Sequence, residues 1–151
     1  MSTVTTHKVG GLPMSGQGRV CLLRKKFDCA VDTLTAAEVI EVFDIPKDTF
    51  VLAVGVRCET AEGATATIDI GDETNADGFI DGADMNSAST NASSNNVTAG
   101  GTNAAFGVSV ETTGGGKYYT DADTIDILVN NTMDAAAFTV WALVAYCGDP
   151  A

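Results

Sequence analysis

From residue 38 onward, apolar and polar side chains alternate in short runs with a period of two, and turn residues interrupt the runs at brief intervals. A period of two places successive side chains on opposite faces of an extended chain, so these runs predict β-strands. The run 49–60 is the most regular. Phe50, Leu52, Val54, Val56 and Cys58 would share one face. Val51 and Ala53 make the other face apolar as well, as expected of a central strand covered on both sides.

Other runs vary in clarity. In 35–43 the Ala-Ala-Glu start favours helix, but Val39, Ile40, Val42 and Phe43 followed by Pro46 favour strand, so a strand is predicted over 38–46. Segment 64–70 alternates Thr and Asp with Ala and Ile, as a half-exposed strand should. Further strands are predicted over 19–31, 105–111, 124–130 and 138–146. Residues 71–105 are rich in Asn, Gly, Ser and Thr and read as one long loop. The Gly114-Gly115-Gly116 run reads as a flexible turn leading into Tyr118 and Tyr119. Seven or eight strands joined by short turns leave little room for helical crossovers. They predict an all-β fold, a β-sandwich of jelly-roll-like type. Residues 1–18 show no period and are read as an extended N-terminal arm, with 19–151 as the sandwich domain.

Length permits this architecture. A chain of 151 residues fits one domain and can bury a core without metals or disulfides. Charge then divides the chain. Lys8, Arg19, Arg24, Lys25 and Lys26 are the only charged side chains before Phe27, whereas the remainder carries 3 basic and 20 acidic residues. A body this acidic should repel nucleic acid and anionic membrane. The basic segment is free to dock on an acidic partner or to lie on the chain's own acidic body. No apolar run approaches the ~20 residues of a membrane span. The first residues lack the apolar core of a signal peptide, so synthesis in a host cytoplasm is expected. Cys21, Cys29, Cys58 and Cys147 form no C-x-x-C pair and are expected to be reduced, buried small side chains, not zinc ligands.

Candidate chemistry is sparse. Residues 73–84 place oxygen side chains at positions 1, 3, 5, 9 and 12, with Gly78 at position 6, which is the layout of a calcium loop. Glu73 replaces the usual Asp at position 1, Asp84 replaces the usual Glu at position 12, and the preceding segment is β. The loop is therefore expected to be structural, with Asp and Asn satisfying backbone donors. If calcium bound, Asp77 and Asp81 would lead its ligands, followed by Asn75 and Asp84. His7 is the only histidine and lies in the arm, which disfavours a Ser-His or Cys-His pair. The carboxylates are numerous enough that chance proximity explains any glycosidase-like pair. Gly114–Lys117 lacks phosphate-loop spacing. Trp141 sits in a strongly apolar run and is expected in the core, not on a sugar.

Several segments together resemble head decoration (cement) proteins of tailed bacteriophages. These are Phe43-Asp44-Ile45-Pro46 with Thr49, Val51 and Ala53-Val54-Gly55-Val56; Thr60-Ala61-Glu62-Gly63; Ile68-Asp69-Ile70-Gly71-Asp72; Asp77-Gly78-Phe79-Ile80-Asp81-Gly82; and Tyr118-Tyr119-Thr120 with Ala122-Asp123-Thr124-Ile125. The similarity covers residues 38–147. It implies a β-sandwich virion protein on the exterior of the phage head. Such a protein is often a homotrimer and clamps neighbouring major capsid proteins; no catalytic constellation in the residues competes with this reading, so no enzymatic activity and no cofactor are expected. Lys8, Arg19, Arg24, Lys25 and Lys26 are then the expected capsid-binding residues. A receptor- or glycan-binding virion appendage, using Tyr118, Tyr119 and the long polar loop, is the alternative, with a small enzyme as a third class.

Overall fold

The structure, a computed structural model, describes residues 19–88 and 116–148, together with the backbone of 3–4 and 91–93. Ten strands follow in order: β1 Thr3–Val4, β2 Arg19–Asp28, β3 Val39–Ile45, β4 Thr49–Thr60, β5 Thr67–Gly71, β6 Ile80–Asp84, β7 Asn91–Ser93, β8 Lys117–Tyr119, β9 Asp123–Val129 and β10 Ala137–Tyr146. There is no helix among the described residues.

The strands form two sheets. One has the order β1-β3-β9-β5-β6 and the other β2-β10-β4-β7, with β8 also pairing β4. Within the second sheet the far edge of β4 is divided: β8 pairs Thr49 to Val51, and β7 pairs Gly55 to Arg57. The cores of the two sheets are therefore β3-β9-β5-β6 and β2-β10-β4-β8. Strands β2 to β5 alternate between the sheets, and so do β8 to β10. This is the double Greek key of a jelly roll. All pairings are antiparallel except β1 with β3.

Burial follows period two most clearly on β2, β3 and β10. Ile125, Ile127 and Val129 of β9 meet Ile40, Phe43, Ile68 and Ile70 from the neighbouring strands, all 1% exposed or less. From the other sheet come Phe138, Val140, Ala142 and Val144 of β10, and the Phe27 and Phe138 rings stack at 5.0 Å. Four bulges break strict alternation, leaving an extra residue at Val42 on β3, at Leu52 and Glu59 on β4, and near Gly82 on β6. Outside the strands, Glu62 fastens the turn before β10 by accepting hydrogen bonds from the backbone N–H groups of Asp134, Ala135 and Ala136.

Several expectations need correction. The bulge at Leu52 switches the parity of β4, so Val51 faces the core with Val54, Val56 and Cys58, while Phe50 and Leu52 lie half-buried on the opposite face. Residues 71–105 are not one loop, because Phe79 and Ile80 plug into the core and lead into strand β6. Lys117–Tyr119 is a strand, not a continuation of a flexible turn. Cys29 and Cys58 are buried and Cys21 is half-buried, but Cys147 is exposed, just beyond the end of β10. The strand expected over 105–111 and the arm residues 5–18, including His7 and Lys8, lie outside the described residues.

Candidate functional site

Cross-strand register builds one continuous outward face on the second sheet. Strand β10 pairs β2 on one side and β4 on the other, and paired residues share a face. Four rows result: Lys26–Thr139–Arg57, Arg24–Trp141–Gly55, Leu22–Leu143–Ala53 and Val20–Ala145–Phe50. The face grades from basic at one end to apolar at the other. Val20 and Leu22 are 58% and 63% exposed, which is unusual for large aliphatic side chains on a sheet. At the apolar end Tyr118 lies beside Phe50, ring centroids 6.4 Å apart, and its hydroxyl donates to Asp48 Oδ1.

The register also sorts the basic residues expected to bind a partner. Arg24 and Lys26 lie on this outward face and are exposed. Lys25 has the opposite parity: it is half-buried, and its Nζ lies 5.9 Å from the Phe27 ring centroid. Arg19 is exposed at the start of the strand. Lys26 is engaged by Glu59 at 2.7 Å, and Glu59 also accepts from the Thr139 hydroxyl. The Glu59 hydrogen bond and charge hold the Lys26 ammonium above its ordinary pKa. Strand β2 is an edge strand, and charges along an edge discourage pairing with stray strands. Trp141 was expected in the core. Instead it lies half-buried on this outward face, because Val140 and Ala142 take the inward positions.

The acidic loop after β5 is organised by a residue that sequence reasoning did not single out. Asp72 is 3% exposed. Its Oδ1 accepts from the backbone N–H groups of Thr74 and Asn75, and its Oδ2 accepts from Lys117 Nζ at 2.5 Å and from the Tyr119 hydroxyl at 2.6 Å. Burial pushes this carboxyl up, but the Lys117 and Tyr119 hydrogen bonds and the Asn75 amide outweigh it and leave it below the usual carboxylate range. Asp69 does similar work nearby: its Oδ1 accepts from the Gly82 N–H and from Asn130 Nδ2. The calcium-loop candidates do not converge in this way. Asp77, Asp81 and Asp84 are exposed, Asn75 is half-buried, and Asp84 Oδ1 accepts from the Asn86 N–H. Among the described residues, no group of three or more His, Cys, Asp or Glu could hold a metal ion. The partner that explains Asp72 lies 45 positions away in sequence, so no local pattern reveals the pair.

No family model matches the chain, and no curated protein sequence matches it. Solved structures do share its fold. A chain of the acidic stable capsid structure of Helicobacter pylori bacteriophage KHP30 superposes with a TM-score of 0.58 at 12% identity, covering 85% of this chain and 89% of that one. A chain of the cyanophage Pam1 capsid asymmetric unit gives 0.56 at 17% identity, covering 93% of each chain. A chain of the Ralstonia phage GP4 capsid gives 0.55 at 12% identity, covering 93% of this chain and 91% of that one. At such identities the likeness is one of fold.

Proposed function

We propose that this chain is a structural protein of a tailed-phage virion, a decoration (cement) protein that sits on the head exterior and bridges neighbouring major capsid proteins. The observation that carries this reading is the jelly-roll sandwich, shared over most of the chain with chains of three phage capsid structures. The segments that resemble decoration proteins point the same way. No reaction is needed. Binding only to the assembled lattice stabilises that lattice by linkage. As a homotrimer touching three capsid proteins at once, the protein would gain avidity from effective concentration. The acidic body would keep decorated particles apart, and it makes nucleic acid and membranes unsuitable partners.

Docking is assigned to the graded outward face, with Arg24 and Lys26 on its basic half, and to Lys8, Arg19 and Lys25 of the adjoining basic segment. An apolar field with a basic border fits a protein surface of opposite charge. Purified protein should rebind to capsids stripped of it, and rebinding should weaken as salt rises. No rebinding at low salt, together with saturable binding to a glycan array, would overturn this proposal in favour of an appendage that uses Tyr118.

A further inference from the structure

On the opposite side of the molecule, the outward face of the first sheet holds two carboxylates directly across from each other. Glu41 on β3 and Asp126 on β9 are register partners, and like charges in that position repel. The next position along the row is Gly71 on β5, which pairs with Asp126 on its other side. Gly71 has no side chain, so the loop residues Asn75 and Ala76 fold down over it; a Cβ there would collide with their backbone. Asp126, beside this covered position, is only 8% exposed. The Thr124 side chain is hydrogen-bonded to the Asp126 carboxylate, but its Oδ1 is buried without a hydrogen-bond partner among the described residues. A buried carboxylate left in this state is costly. Asp72, another acid near it, is already matched by Lys117 and Tyr119.

Asp126 lines a hollow of about 340 Å³. Glu41, Asp126 and Glu73 supply negative charge, and Val39, Leu128 and Ala76 supply apolar wall. A water molecule takes about 30 Å³ in the liquid, so the hollow admits far more than a bare ion. Among the described residues, no group of three or more His, Cys, Asp or Glu could hold a metal ion, and the carboxylates of the hollow are no exception. An acidic end beside an apolar wall suits a cation on an aliphatic stem, whose methylenes pack while its head pairs.

We propose that this hollow is a binding site for a guanidinium or ammonium group on an aliphatic stem, presented as an arginine or lysine side chain of a neighbouring polypeptide. The incoming donor would satisfy Asp126 Oδ1 and relieve the repulsion between Glu41 and Asp126. The groups that face Asp126 are Glu41 from β3, Asp123 from its own strand, and Asp72 and Glu73 from the loop. Burial first, and then the charges of Glu41, Asp123 and Asp72, push its carboxyl up to about 6, with Thr124 opposing. A bound cation should reverse that displacement. The site belongs to the isolated chain and does not rest on the virion role.

The test is a titration of the purified full chain, followed by NMR, with N-acetyl-arginine-N-methylamide, putrescine and magnesium chloride as separate probes. The blocked arginine should give saturable millimolar shifts at Val39, Glu41, Asp126 and Leu128, and should lower the Asp126 carboxyl midpoint by about a unit or more. Asp126→Asn should abolish the saturable shifts, Glu41→Gln should weaken binding several-fold, and Asp77→Asn should leave it unchanged. Shifts that never saturate, that survive in Asp126→Asn, or that magnesium reproduces would overturn the site. Tighter binding of putrescine than of the blocked arginine would overturn its assignment to a polypeptide.

Discussion

The indole of Trp141 covers Gly55 on the neighbouring strand so closely that a Cβ at position 55 would overlap its Cε2 and Cζ2 atoms. The bare backbone of β4 thus forms the floor under the only tryptophan of the chain. This pair fixes the middle of the graded outward face, between its basic and apolar ends.

Replacing Gly55 should therefore lift the ring. Gly55→Ala is expected to cost about 1–3 kcal/mol through overpacking, and to move tryptophan emission to longer wavelength as the indole becomes more exposed. Urea unfolding and fluorescence measure both. A variant with unchanged stability and emission would contradict the placement of Trp141.

The Asp72 cluster should behave as a structural anchor. Asp72→Asn is expected to destabilise by about 3 kcal/mol, the range for breaking one side of a buried ion pair, and Lys117→Met by a comparable or smaller amount. The folded pKa of Asp72 lies below its ordinary value of 3.8. Its contribution is therefore complete above about pH 4 and fades as pH falls through the folded value. A chelator should leave the parent's melting temperature unchanged, since this loop is held by Lys117, Tyr119 and backbone amides. A drop of several degrees would mark a metal site at Asn75, Asp77, Asp81 and Asp84.

Asp126 should act in the opposite sense. Its folded pKa of about 6 stands above the ordinary 3.8, so between those values the folded state holds more protons than the unfolded chain. Stability should fall as pH rises from about 4 to 6, by up to about 3 kcal/mol. Asp126→Asn should flatten that slope. Equilibrium unfolding at closely spaced pH values measures it, and an equal slope in parent and variant would rule the group out.

Charge reversal on the outward face should affect docking far more than folding. Arg24→Glu with Lys26→Glu is expected to lower the melting temperature only slightly, because the Lys26–Glu59 pair that it breaks is largely exposed. Rebinding to stripped capsids should nevertheless fall at low salt, and the difference from the parent should shrink as salt rises. Rebinding as strong as the parent's would remove Arg24 and Lys26 from the interface.

Much of the sandwich was legible because alternation with one buried face leaves a period that survives in the sequence. Strands β3, β9 and β10 fall within a residue or two of their expected limits. What remained hidden has common physical causes. The bulge at Leu52 lies in a run apolar on both faces, where alternation cannot mark a change of parity. The same ambiguity holds at Trp141: its neighbours on β10 are apolar on either side, and the burial of Val140 and Ala142 shows that it takes the outward face. Strand β6 is masked by the Gly and Asp residues around it, and its core contact comes from Phe79 and Ile80 at its start. Local spacing points to the exposed Asp77 and Asp81, not to the buried Asp72 and Asp126. Burial and distant partners decide which carboxylate matters, and neither is written in local spacing.

Cryo-electron microscopy of mature particles that contain this chain tests the proposed role most directly. The expected result is density for the jelly roll on the outer surface of the head, at a copy number near that of the major capsid protein, with each subunit touching more than one capsid protein through the Arg24 and Trp141 face. Density found only on the tail or inside the shell, or a copy number of a few per particle, would contradict it.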